Sequence, residues 1–548
     1  MNKSVELTHS EGKEVLLQTE EMLPMPDGVR LRTIIVRPKA GTARPVLVQR
    51  SPYAFSETYN LEQGLELARR GFSYVLQFCR GTCGSEGKWE PNVNEREDGL
   101  ALLRWLNEQP WVESIGYFGE SYLALTGWVL MDALPEKVKG MYLGVYGTDR
   151  HCSAYQDGLF RQDILTSWAM ENAGKPVTAD YLASCAYLPQ VRVDRDLWDA
   201  DLPWYRDWIT HPDRDDAYWQ QGFWAMLREM PKKVRVPLVI EEGWYDHHLG
   251  SSLSGWRSMD EESRSRCLLR IGAWKHMKQP AAEWQPCGHL ENDSFVPVYE
   301  FFKALLLDKK TPPHGVQLYT IGADEWNSGE VWPSPAGEIN FWLDAGTEGK
   351  RLLTAPPQNS TRADYVYDPA NPVPSHGTES CLKSMSEVGS LLQPGPDYRA
   401  DVLSFMSEPL EQDLTILGNI SADLFVSSDA EDTAFVMKVC EVLPDGSAYN
   451  IRTAATTLAY RGHSTTRQSY QPGEVVPIRL DAWDIAWKVK RGSRIRVDIT
   501  SSDFPQYSVH SNFAGVWAEQ KQQKKAAQTV CCGGGHASVV SIPFFTSG

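Results

Sequence analysis

A chain of 548 residues with 42% apolar content is too long for one hydrophobic core and rich enough to fill two or three, which excludes disorder as its default state. Acidic residues outnumber basic ones 71 to 54, and the formal charge of -17 repels phosphate backbones, so no nucleic-acid partner is expected. No apolar run approaches the roughly 18 residues of a membrane-crossing helix, and no membrane partner is expected either.

Residues Met1 to Gly12 are polar and mixed in charge, without the basic start and apolar stretch of a signal peptide, which points to a cytoplasmic location. Residues 28 to 145 then alternate β-type runs with helical stretches: Pro45 to Val48, Phe72 to Leu76, and the helix-like Glu97 to Asn107. That alternation predicts a mostly parallel sheet covered by helices. From 148 to 235 strand-like runs nearly vanish and Trp168, Trp198, Trp204, Trp208, Trp219 and Trp224 appear, the texture of a helical insertion. Strand texture returns at Val236 to Ile240 and Leu268 to Ile271, and a helix-like segment from Val296 to Leu307 ends at Lys309-Lys310-Thr311-Pro312-Pro313. Beyond Pro313 the signals are short period-two strands, such as Phe435 to Val442 before a Pro444-Asp445-Gly446 turn and Arg494 to Ile499, which fit a β-sandwich. The expected domains are therefore a first core part at 1–147, a helical cap at 148–235, a second core part at 236–312 and a β domain at 313–548.

Ten cysteines at 79, 83, 152, 185, 267, 287, 381, 440, 531 and 532 read as reduced thiols rather than a disulfide framework. None has partners at zinc-site spacing, so neither a metal nor a cofactor is expected.

Chemistry concentrates where a short apolar strand from Ser114 runs into Gly119-Glu120-Ser121 and then a helical pattern through Leu130. A nucleophile elbow needs that arrangement, because the turn strains the serine and the helix N-terminus faces developing negative charge. Leu123 stands where a second glycine is usual, so this segment alone is equally compatible with a helix-capping serine. A serine nucleophile also needs a base held by a carboxylate. In an α/β-hydrolase these follow in the order acid, then histidine, each after a buried strand. Two segments qualify: Val236 to Gly243 leads into Trp244-Tyr245-Asp246, and Leu268 to Ala273 leads into Trp274-Lys275-His276.

These segments together resemble the cocaine esterase and X-Pro dipeptidyl-peptidase family, the CocE/NonD hydrolases. Gly119-Glu120-Ser121-Tyr122 resembles its G-x-S-Y nucleophile motif, Gly243-Trp244-Tyr245-Asp246 its acid motif, and Gly272-Ala273-Trp274-Lys275-His276 its G-x-W-x-H motif. Arg50-Ser51-Pro52-Tyr53 is similar to R-x-P-Y, Arg80 to Gly87 to the R-G-x-x-x-S-x-G loop, and Gly492 to Pro505 to a late strand of the β domain. Departures are Ala124, in place of a common glycine, and Phe78-Cys79, in place of a frequent Asp-Val pair.

The resemblance implies an α/β-hydrolase core with an inserted helical cap and a C-terminal all-β jelly-roll domain. It implies a triad of Ser121, Asp246 and His276, with an oxyanion hole built from the Tyr53 hydroxyl and the Tyr122 N–H. Trp244, His247 and His248 are further candidates for the substrate pocket. Asp445, Glu241 and Glu242 could meet a substrate ammonium, although acidic residues are more often solvated. The leading function is a serine acyl hydrolase acting on a small-molecule ester or amide through an acyl-enzyme. An acyltransferase or X-Pro-type peptidase using the same triad is the alternative, and a non-enzymatic β-domain binding protein is a third class. Assembly into a homo-oligomer is left open.

Overall fold

The computed structural model describes residues 3–8, 15–39, 41–379 and 387–545; Cys381, Met1, Asn2 and residues 9–12 lie outside them. Its first sheet has eleven strands: β1 (Lys3–Thr8), β2 (Val15–Pro24), β3 (Arg30–Pro38), β4 (Arg44–Ser51), β5 (Ser73–Phe78), β6 (Val112–Glu120) and β7 (Val138–Gly144), followed, after a small cap hairpin of β8 (Tyr155–Gln156) and β9 (Leu159–Phe160), by β10 (Leu238–Tyr245), β11 (Cys267–Lys275), β12 (Gly315–Thr320) and β13 (Glu325–Gly329). Seven of them, in the order β5-β4-β6-β7-β10-β11-β12, run parallel. Strands covered on both faces are mostly apolar, and β5, β10 and β11 are buried at every position, the charged Glu241 of β10 being paired there with Arg270 of β11. Along β3, Ile35 joins one core while Ile34 and Val36 join the other, as the two-residue period of a strand requires.

Helices α1 (Glu57–Arg69), α2 (Glu95–Glu108) and α3 (Tyr122–Trp128) cross over between the early strands. The cap leaves after β7 and returns before β10. It contains α4 (Arg150–Ala154), the hairpin, α5 (Gln162–Glu171) and a run of short helices ending near Glu229.

The C-terminal domain is all-β, a twelve-stranded network separate from the first sheet. Its strands begin at Gly337–Gly346, because β12 and β13, which lie beyond residue 313, still extend the first sheet through parallel pairing of β12 with β11. The expected period-two strand at Phe435 to Val442 is buried almost throughout, so this strand has no solvated face. This domain touches both other units. The Gln162 and Asp163 N–H groups at the start of α5 donate to Gln506 O at 3.0 Å and Pro505 O at 2.8 Å, and the Arg161 guanidinium lies 3.9 Å from the Trp483 ring centroid. On the core side, the Tyr245 hydroxyl donates to Ile451 O at 2.8 Å. Among the described residues no helix is long and apolar enough to cross a membrane.

Candidate active site

Strand β6 delivers Ser121 to the carboxyl edge of the sheet, immediately before α3. Its backbone sits at φ 54°, ψ -127°, a region that costs a non-glycine residue free energy and holds the side chain clear of the turn. Gly119 permits this turn, since a Cβ there would lie 2.4 Å from the Leu123 carbonyl oxygen. Leu123 itself lines the adjoining cleft, which gives its side chain space where a glycine is more usual.

The segments after β10 and β11 place Asp246 and His276 beside the serine. His276 Nε2 is 3.0 Å from Ser121 Oγ, and His276 Nδ1 is 2.6 Å from Asp246 Oδ2. Asp246 is held in turn, its Oδ1 accepting the His248 N–H at 2.7 Å. Burial alone would depress the His276 pKa, but the charge and hydrogen bond of Asp246, helped by the charge of Glu120, raise it above its ordinary value.

The Tyr53 ring faces this pair across the cleft, 6.2 Å from the Tyr122 ring centroid to centroid. Trp168 Nε1 donates to the Tyr53 hydroxyl oxygen at 3.0 Å, leaving the phenolic proton available to a ligand. Burial pushes the Tyr53 pKa up, so the hydroxyl stays a donor at neutral pH. Tyr122 is the first residue of α3, and its N–H has no intrahelical acceptor. Its own hydroxyl is occupied, accepting the Asn92 N–H at 2.9 Å and donating to Glu95 at 3.0 Å.

These groups open onto a cavity of about 200 Å³ whose walls include Tyr53, Ser121, Tyr122, Trp168, His248 and His276. His247 and His248 both line it, with ring centroids 4.2 Å apart; burial, followed by neighbouring positive groups, holds both imidazoles well below their ordinary pKa. Trp244 does not line it. Near the end of β10 its indole is buried in the core, where Nε1 donates to Tyr319 O at 2.7 Å. Glu241, Glu242 and Asp445 are also elsewhere: Glu241 contacts Arg270 and Lys278, Glu242 accepts from Ser252, and Asp445 accepts the Ser447 N–H in its turn. Of the six cap tryptophans, Trp168 and Trp208 reach the cavity.

Several lining residues carried no motif: Arg150, Tyr146 and Leu165, and the rim of Phe55, Tyr59 and Met277, which are 81%, 56% and 64% exposed. Only fold topology brings them to the site. Two other serines have structural duties, Ser251 accepting the Asp149 N–H at 2.9 Å and Ser85 donating to Phe78 O at 2.9 Å. Asp246, His247 and His276 bring donor atoms within 4.8 Å of one another, close enough for a metal ion, but Asp246 and His276 are already joined to each other.

The arginines of the flanking motifs act behind the site. Arg50 Nη1 donates to Glu95 O at 2.7 Å, and Arg80 forks onto Asp98 at 2.7 and 3.1 Å, so the end of β4 and the loop after β5 are tied to the start of α2. Glu95 then holds the Tyr122 hydroxyl, linking this buried network to the elbow.

Residues 27–278 match the family model for X-Pro dipeptidyl-peptidase (S15 family), and residues 308–541 match that for the X-Pro dipeptidyl-peptidase C-terminal non-catalytic domain. The chain is 29% identical to a cocaine esterase from Rhodococcus sp. (strain MB1 Bresler), over 95% of this chain and 97% of that protein. Its fold matches an α-amino acid ester hydrolase with a TM-score of 0.83 at 22% identity, covering 98% of both chains. A CocE/NonD family hydrolase from Staphylococcus aureus matches with a TM-score of 0.70 at 16% identity, covering 100% of this chain and 96% of the other. With the two family models spanning most of its length, the chain belongs to the X-Pro dipeptidyl-peptidase (S15) family of CocE/NonD serine hydrolases, which act on ester or amide bonds.

Proposed function

We propose that the protein is a serine esterase in which Ser121 attacks the substrate carbonyl, His276 accepts the Ser121 proton and Asp246 orients the imidazole. The observation that carries this reading is the unbroken hydrogen-bonded line from Asp246 through His276 to a strained Ser121. His276 takes the proton as Oγ bonds to the carbonyl carbon, and the carbonyl electron pair moves onto oxygen. That oxyanion is met by the Tyr53 hydroxyl and the Tyr122 N–H. Collapse expels the alcohol, which receives the proton from His276, and water then repeats the sequence to release the acid.

Ester rather than amide cleavage is favoured by the similarity to cocaine esterase and by a cleft walled largely by aromatic and aliphatic side chains. A cytoplasmic setting accords with the nine described cysteines, all of them unpaired. The test is labelling with a fluorophosphonate followed by mass mapping: the adduct is expected on Ser121 and absent from Ser121→Ala, which should fold normally and turn over no ester. An adduct on another serine would overturn the assignment.

A further inference from the structure

Arg150 occupies an unusual position for a cation. It is 8% exposed, it lines the same cavity as Ser121, and no carboxylate among the described residues is seen in a salt bridge with it. Its Nε is fully enclosed without an acceptor. Asp149, next in sequence, is committed to Arg214 and to the Cys152 N–H at 3.3 Å.

What Arg150 does touch is uncharged. Its guanidinium carbon lies 4.4 Å from the Trp208 ring centroid and 5.9 Å from that of Trp224, and the guanidinium shares a hydrogen bond with the Tyr146 hydroxyl. Aromatic faces attract a cation, but they accept no in-plane N–H bonds and replace only part of the lost hydration. A guanidinium presents its donors in a planar fork that matches a carboxylate in two parallel bonds. A buried guanidinium on the wall of the cleft, with an enclosed Nε that lacks an acceptor and no carboxylate salt-bridged to it, is therefore a receptor for an anion.

We propose that Arg150 binds a carboxylate of the substrate, so that the preferred substrates are esters or amides carrying an acidic group on the part held in the cleft. This deepens, and rests on, the reading of Ser121 as nucleophile. No new bond is made at Arg150; it selects and positions the molecule that Ser121 attacks.

The experiment compares kcat/KM for p-nitrophenyl hemiglutarate with that for its uncharged isostere, in which an isopropyl group replaces the carboxylate. A second pair, 4-carboxyphenyl acetate against phenyl acetate, moves the carboxylate to the leaving group. In Arg150→Gln the charged-to-uncharged ratio should fall on the order of 30-fold or more for one of these pairs, and that pair identifies the side of the scissile bond that Arg150 faces. Arg150→Lys, which keeps the charge and loses the fork, should fall between. Ratios unchanged in both pairs would overturn the proposal and leave Arg150 as a cation held by Trp208 and Trp224. Should the variants fail to fold, inhibition of the native enzyme decides: glutarate or benzoate must inhibit more strongly than the matching neutral amide, and equal inhibition overturns the proposal. Loss of Ser121 labelling or of all turnover of the uncharged esters by the native enzyme would instead defeat the triad reading.

Discussion

The indole N–H of Trp168, from the cap, donates to the phenol oxygen of Tyr53, from the core, at 3.0 Å. The bond fixes which way the Tyr53 proton can point, because the side of the oxygen facing Trp168 is taken. A donor needed only in the transition state should change kcat more than KM when lost. Tyr53→Phe is therefore expected to lower kcat on the order of 100 to 1,000-fold. Trp168→Phe keeps an aromatic wall and removes one hydrogen bond of about 1 kcal/mol, about fivefold in rate. Steady-state kinetics of both variants on a slow ester check this, and a Tyr53→Phe enzyme with most of its kcat intact would mean the oxyanion is held otherwise.

The pH dependence follows from His276, which must be uncharged to accept the Ser121 proton. Its folded-state pKa is raised above 6.5, so kcat/KM should climb with pH through a midpoint above that value. Stability runs the other way: the pairing of protonated His276 with Asp246 contributes fully below pH 6.5 and is lost as pH rises through the raised pKa. Asp246→Asn should move the kinetic midpoint down and reduce kcat about 10,000-fold, since the imidazole loses its orienting acceptor. A pH-rate profile that is identical in the variant contradicts this placement of Asp246.

Gly119 is constrained by backbone rather than by a movable side chain, its absent Cβ falling 2.4 Å from Leu123 O and 2.5 Å from Leu123 C. Gly119→Ala should then cost about 1–3 kcal/mol of stability and slow phosphonate labelling of Ser121. Differential scanning calorimetry and labelling rates measure the two effects, and a variant matching the native enzyme in both would show a more pliable elbow.

Cap and C-terminal domain are joined through main-chain groups at both ends of α5's approach: Ser508 N donates to Phe160 O at 2.8 Å, beside the Gln162 and Asp163 bonds. Removal of residues 337–548 should expose the cap's β9–α5 turn and abolish esterase activity. Limited proteolysis with activity assays tests it, and a fully active fragment lacking the β domain would show the contact to be dispensable.

The placement of the candidate triad could be read from the sequence because each of its residues follows a buried strand and sits in a short motif with glycine neighbours. Trp244 illustrates where such reading stops: it shares the acid motif with Asp246, but it still belongs to β10 and buries its indole in the core, while Asp246 follows the end of the strand, and adjacency in sequence carries no information about that. Arg150, Trp168 and Phe55 meet at one cleft only because cap and core are stacked, a fact recorded in no local pattern. The late strands were misleading in a different way. Arg496 and Asp498 look like a solvated face of Arg494–Thr500, yet they are buried and pair with each other at 2.8 Å. Period two reveals which residues share a face, but not whether that face meets water.

The anchoring of the cap has a consequence for how molecules come and go. A roof whose leading edge is bonded to a third unit, with Arg161 stacked on Trp483, is pinned along that edge, and raising it would break several main-chain bonds at once. Traffic then falls to the threshold. Phe55, Tyr59 and Met277 stand exposed there, and their rotamers exchange far faster than a packed domain can tilt. The bulk of these three side chains, with the cap edge held down, bears on the width of molecule the cleft admits.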